Sequence, residues 1–197
     1  MRYLIAIPCM DTMPTLFVSS LVLMDKMPET EMAFAVSSLI YDARNTIAAS
    51  ALRNNFDRLL WIDSDMKFDR DMMKRMAQRM DEGYRFVTGV YCMRKPPYAP
   101  VLYKAFEPGI DPMPFSKGEL DPGKGMIQIA GCGFGAVMMD VSILSEMKNQ
   151  RSDYPFSPFL GLGEDLSFCK RATEMGVKLY CDTSIRLGHV GLQEFRL

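Results

Sequence analysis

Leu59-Leu60-Trp61-Ile62-Asp63-Ser64-Asp65 is an apolar run that stops abruptly at two carboxylates one residue apart. Runs of this kind read as interior strands of a parallel sheet, and ligands of such sheets collect just beyond the strands' carboxyl ends. Two acids at that place, with Ser64 between them, suit a hard divalent cation that takes oxygen ligands. On the run alone a second reading stands beside the first, in which Asp63 or Asp65 forms an Asx turn or caps a following helix.

Strand and helix patterns alternate on both sides of this run. Arg2 to Ile7 reads as a first strand ended by Pro8, and Pro14 suits the first turn of a helix reaching about Met24. Met32 to Val36 is a second short strand. Asp42 to Asn54 follows as a helix with Ile47, Ala48, Ala51 and Leu52 on its inner face. Arg58 to Ile62 is the third strand. Asp69 is placed to cap a helix from Arg70 to Glu82, whose apolar side is Met72, Met73, Met76 and Met80 and which Gly83 closes. Phe86 to Tyr91 is a fourth strand.

The composition then changes, because Lys95 to Gly125 holds seven of the twelve prolines and four glycines. Such a stretch reads as a long irregular excursion rather than ordinary sheet or helix, and long ordered loops are commonly binding loops or lids. Met126 to Ala130 and Ala136 to Met139 read as a close pair of strands joined by a glycine cluster, and Asp140 caps the next helix. A second irregular piece, Gln150 to Gly163, precedes an amphipathic helix opened by Gly163-Glu164-Asp165, with Leu166, Phe168, Cys169 and Ala172 inward. Gly176 ends it, Lys178 to Cys181 is a strand, and His189, the one histidine, follows. The order implies an α/β fold: an open, mixed and mostly parallel sheet flanked by helices, in one domain over residues 1–197.

Bulk properties exclude several functions. Lysine and arginine total 23 against 24 acids, a formal net charge of -1, so there is no electrostatic case for nucleic acid as a partner. The five cysteines are scattered and never form C-x-x-C, which argues against zinc clusters and a disulfide framework and fits a reducing compartment. Leu4 to Ile7 is too short for a signal peptide, and Leu16 to Met24, interrupted by Ser19 and Ser20, is too short to span a membrane. A soluble, cytoplasmic protein is expected. The eighteen methionines read as core filling.

Three clusters could carry chemistry: Asp63 with Asp65, Glu164 with Asp165, and His189. Acid pairs at a helix start also complement the helix dipole, and a lone histidine is often structural. What favours function is that each cluster sits at the boundary of an element, where all three can converge on one edge of the sheet. Gly131-Cys132-Gly133-Phe134-Gly135-Ala136 formally matches G-x-G-x-x-G/A, but it joins two strands deep in the chain instead of a first strand to a helix. Its glycines read better as admitting a ligand close to the backbone or permitting a tight bend. The lack of a G-x-S-x-G elbow and the single histidine argue against a serine hydrolase.

The order of these pieces resembles the GT-A glycosyltransferases, specifically the family 2-like group. A first strand ending in Ile7-Pro8, Ala43-Arg44-Asn45, the D-x-D piece Asp63-Ser64-Asp65, Gly131 to Gly135, Glu164-Asp165 with the helix to Ala172, Gly176 and the late His189 cover nearly the whole chain. The resemblance implies a nucleotide-sugar donor, UDP-linked, with Mn²⁺ or Mg²⁺ across its diphosphate. Asp65 is then the main metal ligand, His189 a further one, and Asp63 meets the ribose or reaches the metal through water. Arg44 lies against the nucleotide, Pro8 shapes the base pocket, and Gly131 and Gly133 line the donor site. Asp165 is implied as the catalytic base, with Glu164 positioning it or the acceptor.

The chemistry agrees with these residue types. A divalent ion neutralises charge that grows on a leaving diphosphate, and one carboxylate takes the proton of an attacking hydroxyl. The resemblance implies inversion, and a single base opposite the leaving group agrees with it by analogy with single-displacement glycosidases. The acceptor, whether glycan, protein or small molecule, is left to the 95–125 excursion, the 150–163 piece or a partner chain, a second copy included. Tyr98, Tyr103, Phe106, Phe115, Tyr154, Phe156 and Phe159 are candidates to stack on sugar rings, loop packing being the competing role. Two rival readings are a sugar-nucleotide nucleotidyltransferase, for which Pro8 to Leu16 lacks the expected glycine, lysine or arginine, and a non-catalytic nucleotide-sugar or carbohydrate binding domain.

Overall fold

The computed structural model describes residues 1–107, 109–150, 154–159, 161–191 and 194–195. In chain order its elements are β1 (Tyr3–Cys9), α1 (Thr15–Leu23), β2 (Thr30–Val36), α2 (Ile40–Arg53), β3 (Arg58–Ile62), β4 (Met66–Lys67), α3 (Met72–Asp81) and β5 (Phe86–Val90). There follow β6 (Leu102–Glu107), β7 (Ile110–Pro114), two short 3-10 turns, β8 (Met126–Ile129), β9 (Gly131–Cys132) and β10 (Ala136–Asp140). The remainder is α4 (Ser142–Gln150), α5 (Glu164–Glu174), β11 (Leu179–Arg186), β12 (Gly188–Val190) and β13 (Glu194–Phe195).

The main sheet has seven strands in the order β2-β1-β3-β10-β5-β11-β8. β1 runs parallel to β2 and β3, and β5 parallel to β11, while β10 and β8 run antiparallel to their neighbours. Every residue of β3 is buried because helices cover both faces of this central strand. Leu59 and Trp61 enter a cluster with Ile47, Ala48 and Ala51 of α2; Leu60 and Ile62 enter the opposite one, with Phe17 and Leu21 of α1 and the four methionines of α3. The strand's side-chain period of two thus meets two helical layers, and the methionine stripe is core. The expected α/β architecture, a large mixed sheet flanked by helices, is the observed one.

Several local expectations change. The proline-rich excursion contains a hairpin, β6 with β7, whose order β7-β6-β9 puts Pro112 and Pro114 on an edge strand. There a missing N–H removes no bond from a central ladder, which is why the prolines do not forbid a strand. Met126–Ile129 and Ala136–Asp140 do not pair with each other: β8 lies at the sheet's edge on β11, whereas β10 is inserted between β3 and β5. The glycine segment between them forms β9, which pairs with β6 and carries the chain across.

β1 continues through Pro8 to Cys9. α3 follows Asp71, not Asp69, and α4 begins at Ser142, so Asp140 ends β10 and faces Arg58 and Arg85 at 4.0 and 3.6 Å. β11 is longer than expected, and His189 stands on strand β12 instead of a loop. Of the second irregular piece, residues 151–153 and 160 lie outside the described residues.

Candidate active site

After Ile62 the chain turns, the Met66 N–H donating to the Asp63 carbonyl at 3.2 Å, and enters β4 rather than a helix. The helix-cap reading of Asp63 and Asp65 therefore falls. The Asp63 N–H donates to the Gly135 carbonyl at 3.1 Å and fixes the acid at the carboxyl end of the central strand. β4 pairs with β12, His189 opposite Met66, and the Val190 N–H donates to the Asp65 carbonyl at 2.7 Å. This ladder brings together residues 124 positions apart: His189 Nε2 lies 3.3 Å from Asp65 Oδ2.

Arg44, on α2, is 1% exposed and forms the floor of the site. Its Nη2 donates to Asp63 Oδ1 at 2.9 Å and lies 3.3 Å from Asp165 Oδ1, while its Nε is 3.8 Å from Glu164 Oε1. The rings of Trp61, Phe134 and Phe156 surround the guanidinium at 5.7, 5.2 and 5.8 Å. One buried cation thus gathers three carboxylates from β3 and the first turn of α5, which is already matched to acids by its dipole. Burial alone would lower the arginine's pKa; Asp63, Asp165 and Glu164 outweigh that and hold it above its ordinary value. Because it is sealed beneath the acids, Arg44 cannot lie against a nucleotide, and that expectation is corrected: it holds the acids in place.

Asp165 accepts a hydrogen bond from the Phe134 N–H at 3.1 Å. Burial, with Glu164 and Asp63 adding like charge against Arg44 and the Phe134 N–H, pushes its carboxyl up to about 7. Burial likewise raises Asp63, Arg44 opposing and Asp65 adding to the shift. An acid poised near neutrality suits proton transfer at ordinary pH.

A cavity of about 410 Å³ is lined by Asp63, Tyr91, Met93, Arg94, Lys95, Val101, Asp165 and His189. Tyr91, Arg94 and Lys95 are additions that motif reading missed. The signal was available, since they follow β5 as Asp63 and Asp65 follow β3. Tyr91 packs edge-on against His189 at 5.6 Å and its hydroxyl accepts from the Gly135 N–H at 3.1 Å. Pro8 is buried in β1 and does not line this cavity. Among the aromatic candidates, Tyr103, Phe106 and Phe156 are buried core residues; Tyr154 and Phe159 are exposed.

The glycine cluster faces protein. A Cβ on Gly131 would lie 2.6 Å from Phe106 Cε1 and 2.9 Å from Leu166 Cδ2, and one on Gly133 would overlap the Tyr91 hydroxyl and meet Val101 Cγ1 at 2.8 Å. What approaches their backbone is side chain, and at Gly133 those side chains, Tyr91 and Val101, themselves line the cavity. Gly133→Ala should cost about 1–3 kcal/mol by overpacking on buried Tyr91 and loosen the Phe134 amide from Asp165; urea unfolding of variant and parent measures it.

The expected metal set of Asp65, His189 and Asp63 is not assembled. Among the described residues no group of three or more His, Cys, Asp or Glu side chains converges to hold a metal ion, because Arg44 draws Asp63 inward. A pair remains. His189 Nδ1 lies 2.9 Å from the Cys92 carbonyl, which can only accept, so that nitrogen carries a hydrogen and Nε2 is the ring atom that faces Asp65. The 3.3 Å between Nε2 and Asp65 Oδ2 is close to the roughly 3 Å of adjacent ligands around an octahedral divalent ion. The residues fit an ion that completes its shell with water and phosphate oxygens, as Mg²⁺ commonly does.

No protein-family model matches the chain, and no curated protein matches it significantly in sequence. Solved structures do match. A197 from STIV superposes with a TM-score of 0.68 at 21% identity, covering 97% of this chain and 86% of that one. GalNAc-T7, crystallised with UDP, GalNAc and Mn²⁺, superposes with a TM-score of 0.66 at 11% identity, covering 100% of this chain and 43% of that one. The fold is GT-A-like. The chain spans less than half of the GalNAc-T7 structure. No described helix is long and apolar enough to cross a membrane. In this GT-A-like fold the acids of β3 and α5 meet at the carboxyl edge of the sheet, where open α/β sheets hold ligands.

Proposed function

We propose that the chain, as a single GT-A-like domain over residues 1–197 of the family 2-like type, is a metal-dependent glycosyltransferase. It moves a sugar from a UDP-sugar to an acceptor hydroxyl with inversion. The observation that carries this reading is that Asp165, poised near pH 7, and His189, which faces Asp65, line one cavity. Support comes also from the shared fold with GalNAc-T7, whose structure holds UDP and Mn²⁺.

Asp65 and His189 would hold the ion, Mn²⁺ or Mg²⁺, with Asp63 facing the ribose. When bound, the ion supplies positive charge against the departing diphosphate. Asp165 accepts the proton of the attacking hydroxyl, and Arg44 keeps that carboxylate oriented without meeting the donor. Glu164, at the helix start beside it, positions base or acceptor. One base and one displacement invert the anomeric centre.

A panel of nucleotide sugars, assayed for binding and hydrolysis with and without Mn²⁺, tests the reading. Asp65→Ala should weaken Mn²⁺-dependent UDP binding at least about thirtyfold, the equivalent of losing a charged contact of roughly 2 kcal/mol. Binding that ignores the metal, or an Asp65→Ala variant that binds like the parent, would sink it.

A further inference from the structure

Arg94 is the third residue beyond Tyr91, where the chain leaves β5, and its side chain is half exposed. It reaches to β4 and β12: its Nη1 lies 3.0 Å from Asp65 Oδ2 and donates to the Val190 carbonyl at 3.2 Å. That carboxylate oxygen is the one His189 Nε2 faces. A guanidinium and a divalent ion drawn to one carboxylate oxygen repel each other, so the ion's arrival weakens the Arg94 pair.

The charge balance explains why a cation waits there. Asp63, Glu164 and Asp165 already outnumber the buried Arg44. Without a counter-charge Asp65 would be a further uncompensated carboxylate in a partly desolvated cleft. Arg94 supplies that charge from a surface position it can leave, and Lys95 lines the same cavity beside it. A guanidinium's planar fork matches phosphate oxygens in pairs.

We propose that Arg94 is an internal counter-cation of Asp65 that a divalent ion displaces, and that the displaced guanidinium, with Lys95 alongside, binds the diphosphate of the nucleotide. Cation and nucleotide binding are thereby coupled, because the ion releases a phosphate ligand. The inference rests on reading Asp65 and His189 as cation ligands.

The test uses the full chain and Arg94→Gln, with thermal melts confirming that both are folded. Binding of Mn²⁺ alone is followed by electron paramagnetic resonance, without nucleotide. The variant should bind Mn²⁺ about three- to fivefold more tightly, the modest gain expected on removing a competitor whose ion pair is half exposed. At saturating Mn²⁺, calorimetric affinity for whichever of UDP, GDP and dTDP the parent binds should fall roughly tenfold in the variant, the loss of a charged hydrogen bond. Arg94→Lys, keeping charge but not the fork, should fall between the two. Equal Mn²⁺ affinities, or unchanged nucleotide affinity, overturn the proposal while leaving the cation site intact. Failure of both parent and Arg94→Gln to bind Mn²⁺ overturns the cation reading and the proposal together.

Discussion

Replacing Arg44 with Met should destabilise the fold by about 3–5 kcal/mol at pH 8, the range for breaking a buried ion pair from one side. Methionine is close to the arginine stem in length and keeps an apolar body between Trp61, Phe134 and Phe156, so packing loss is held small. What disappears is the charge that lets Asp63 and Asp165 share a floor. The penalty should depend on pH with a definite sign. Both carboxyls are already raised by burial, and without the guanidinium they rise further. The unfolded chain then loses protons that the folded chain keeps, so the variant's stability falls as pH rises. Urea unfolding at pH 5 and pH 8 should show the gap from the parent widening at the higher pH. An equal gap at both would mean that Arg44 serves packing alone.

Asp165→Asn should abolish transfer, by about 10²–10⁴-fold as for a lost general base, while donor binding persists. In the parent, kcat/KM should rise with pH through about 7 and then level, because the carboxylate is the proton acceptor. Asp63 and Glu164 are electrostatically linked to it, so the profile reports the group. The same substitution should stabilise the fold above pH 7. Asp165's folded value lies above its ordinary 3.8, so its contribution is favourable at low pH and is lost between about pH 4 and 7; asparagine removes that loss. Variant and parent should therefore melt alike near pH 4 and diverge in the variant's favour by pH 8. Glu164→Gln should retain transfer, and its loss there with Asp165→Asn still active would exchange the two roles.

Much of this arrangement was legible in the chain. The run Leu59–Ile62 is too uniformly apolar for an exposed element, and its stop at Asp63 marks the edge of the sheet. The methionine stripe of α3 and the acids opening α5 have local periodicity or helix-end chemistry to reveal them. The hairpin at 102–114 was hidden, because proline content says where a central strand is forbidden and not where an edge strand is allowed. The function of Gly131 and Gly133 was hidden too: a glycine's lack of a side chain is visible, but what fills the vacated space, here Phe106 and Tyr91, is not.

The sequence by itself determined the alternation of elements, the buried central strand and the acids at its end, since each depends on neighbours within a few residues. Only the tertiary structure decided how those acids are used. Whether Asp63 turns to a cation or to Arg44, and whether Asp65 is paired with His189 and Arg94, depends on contacts spanning 19, 124 and 29 positions. Electrostatic partners are chosen by distance and burial in space, and no local pattern encodes either. The acid pair that ends the strand is for that reason divided: one member is bound to a buried arginine, and the other is held between an imidazole and a guanidinium that line the cavity.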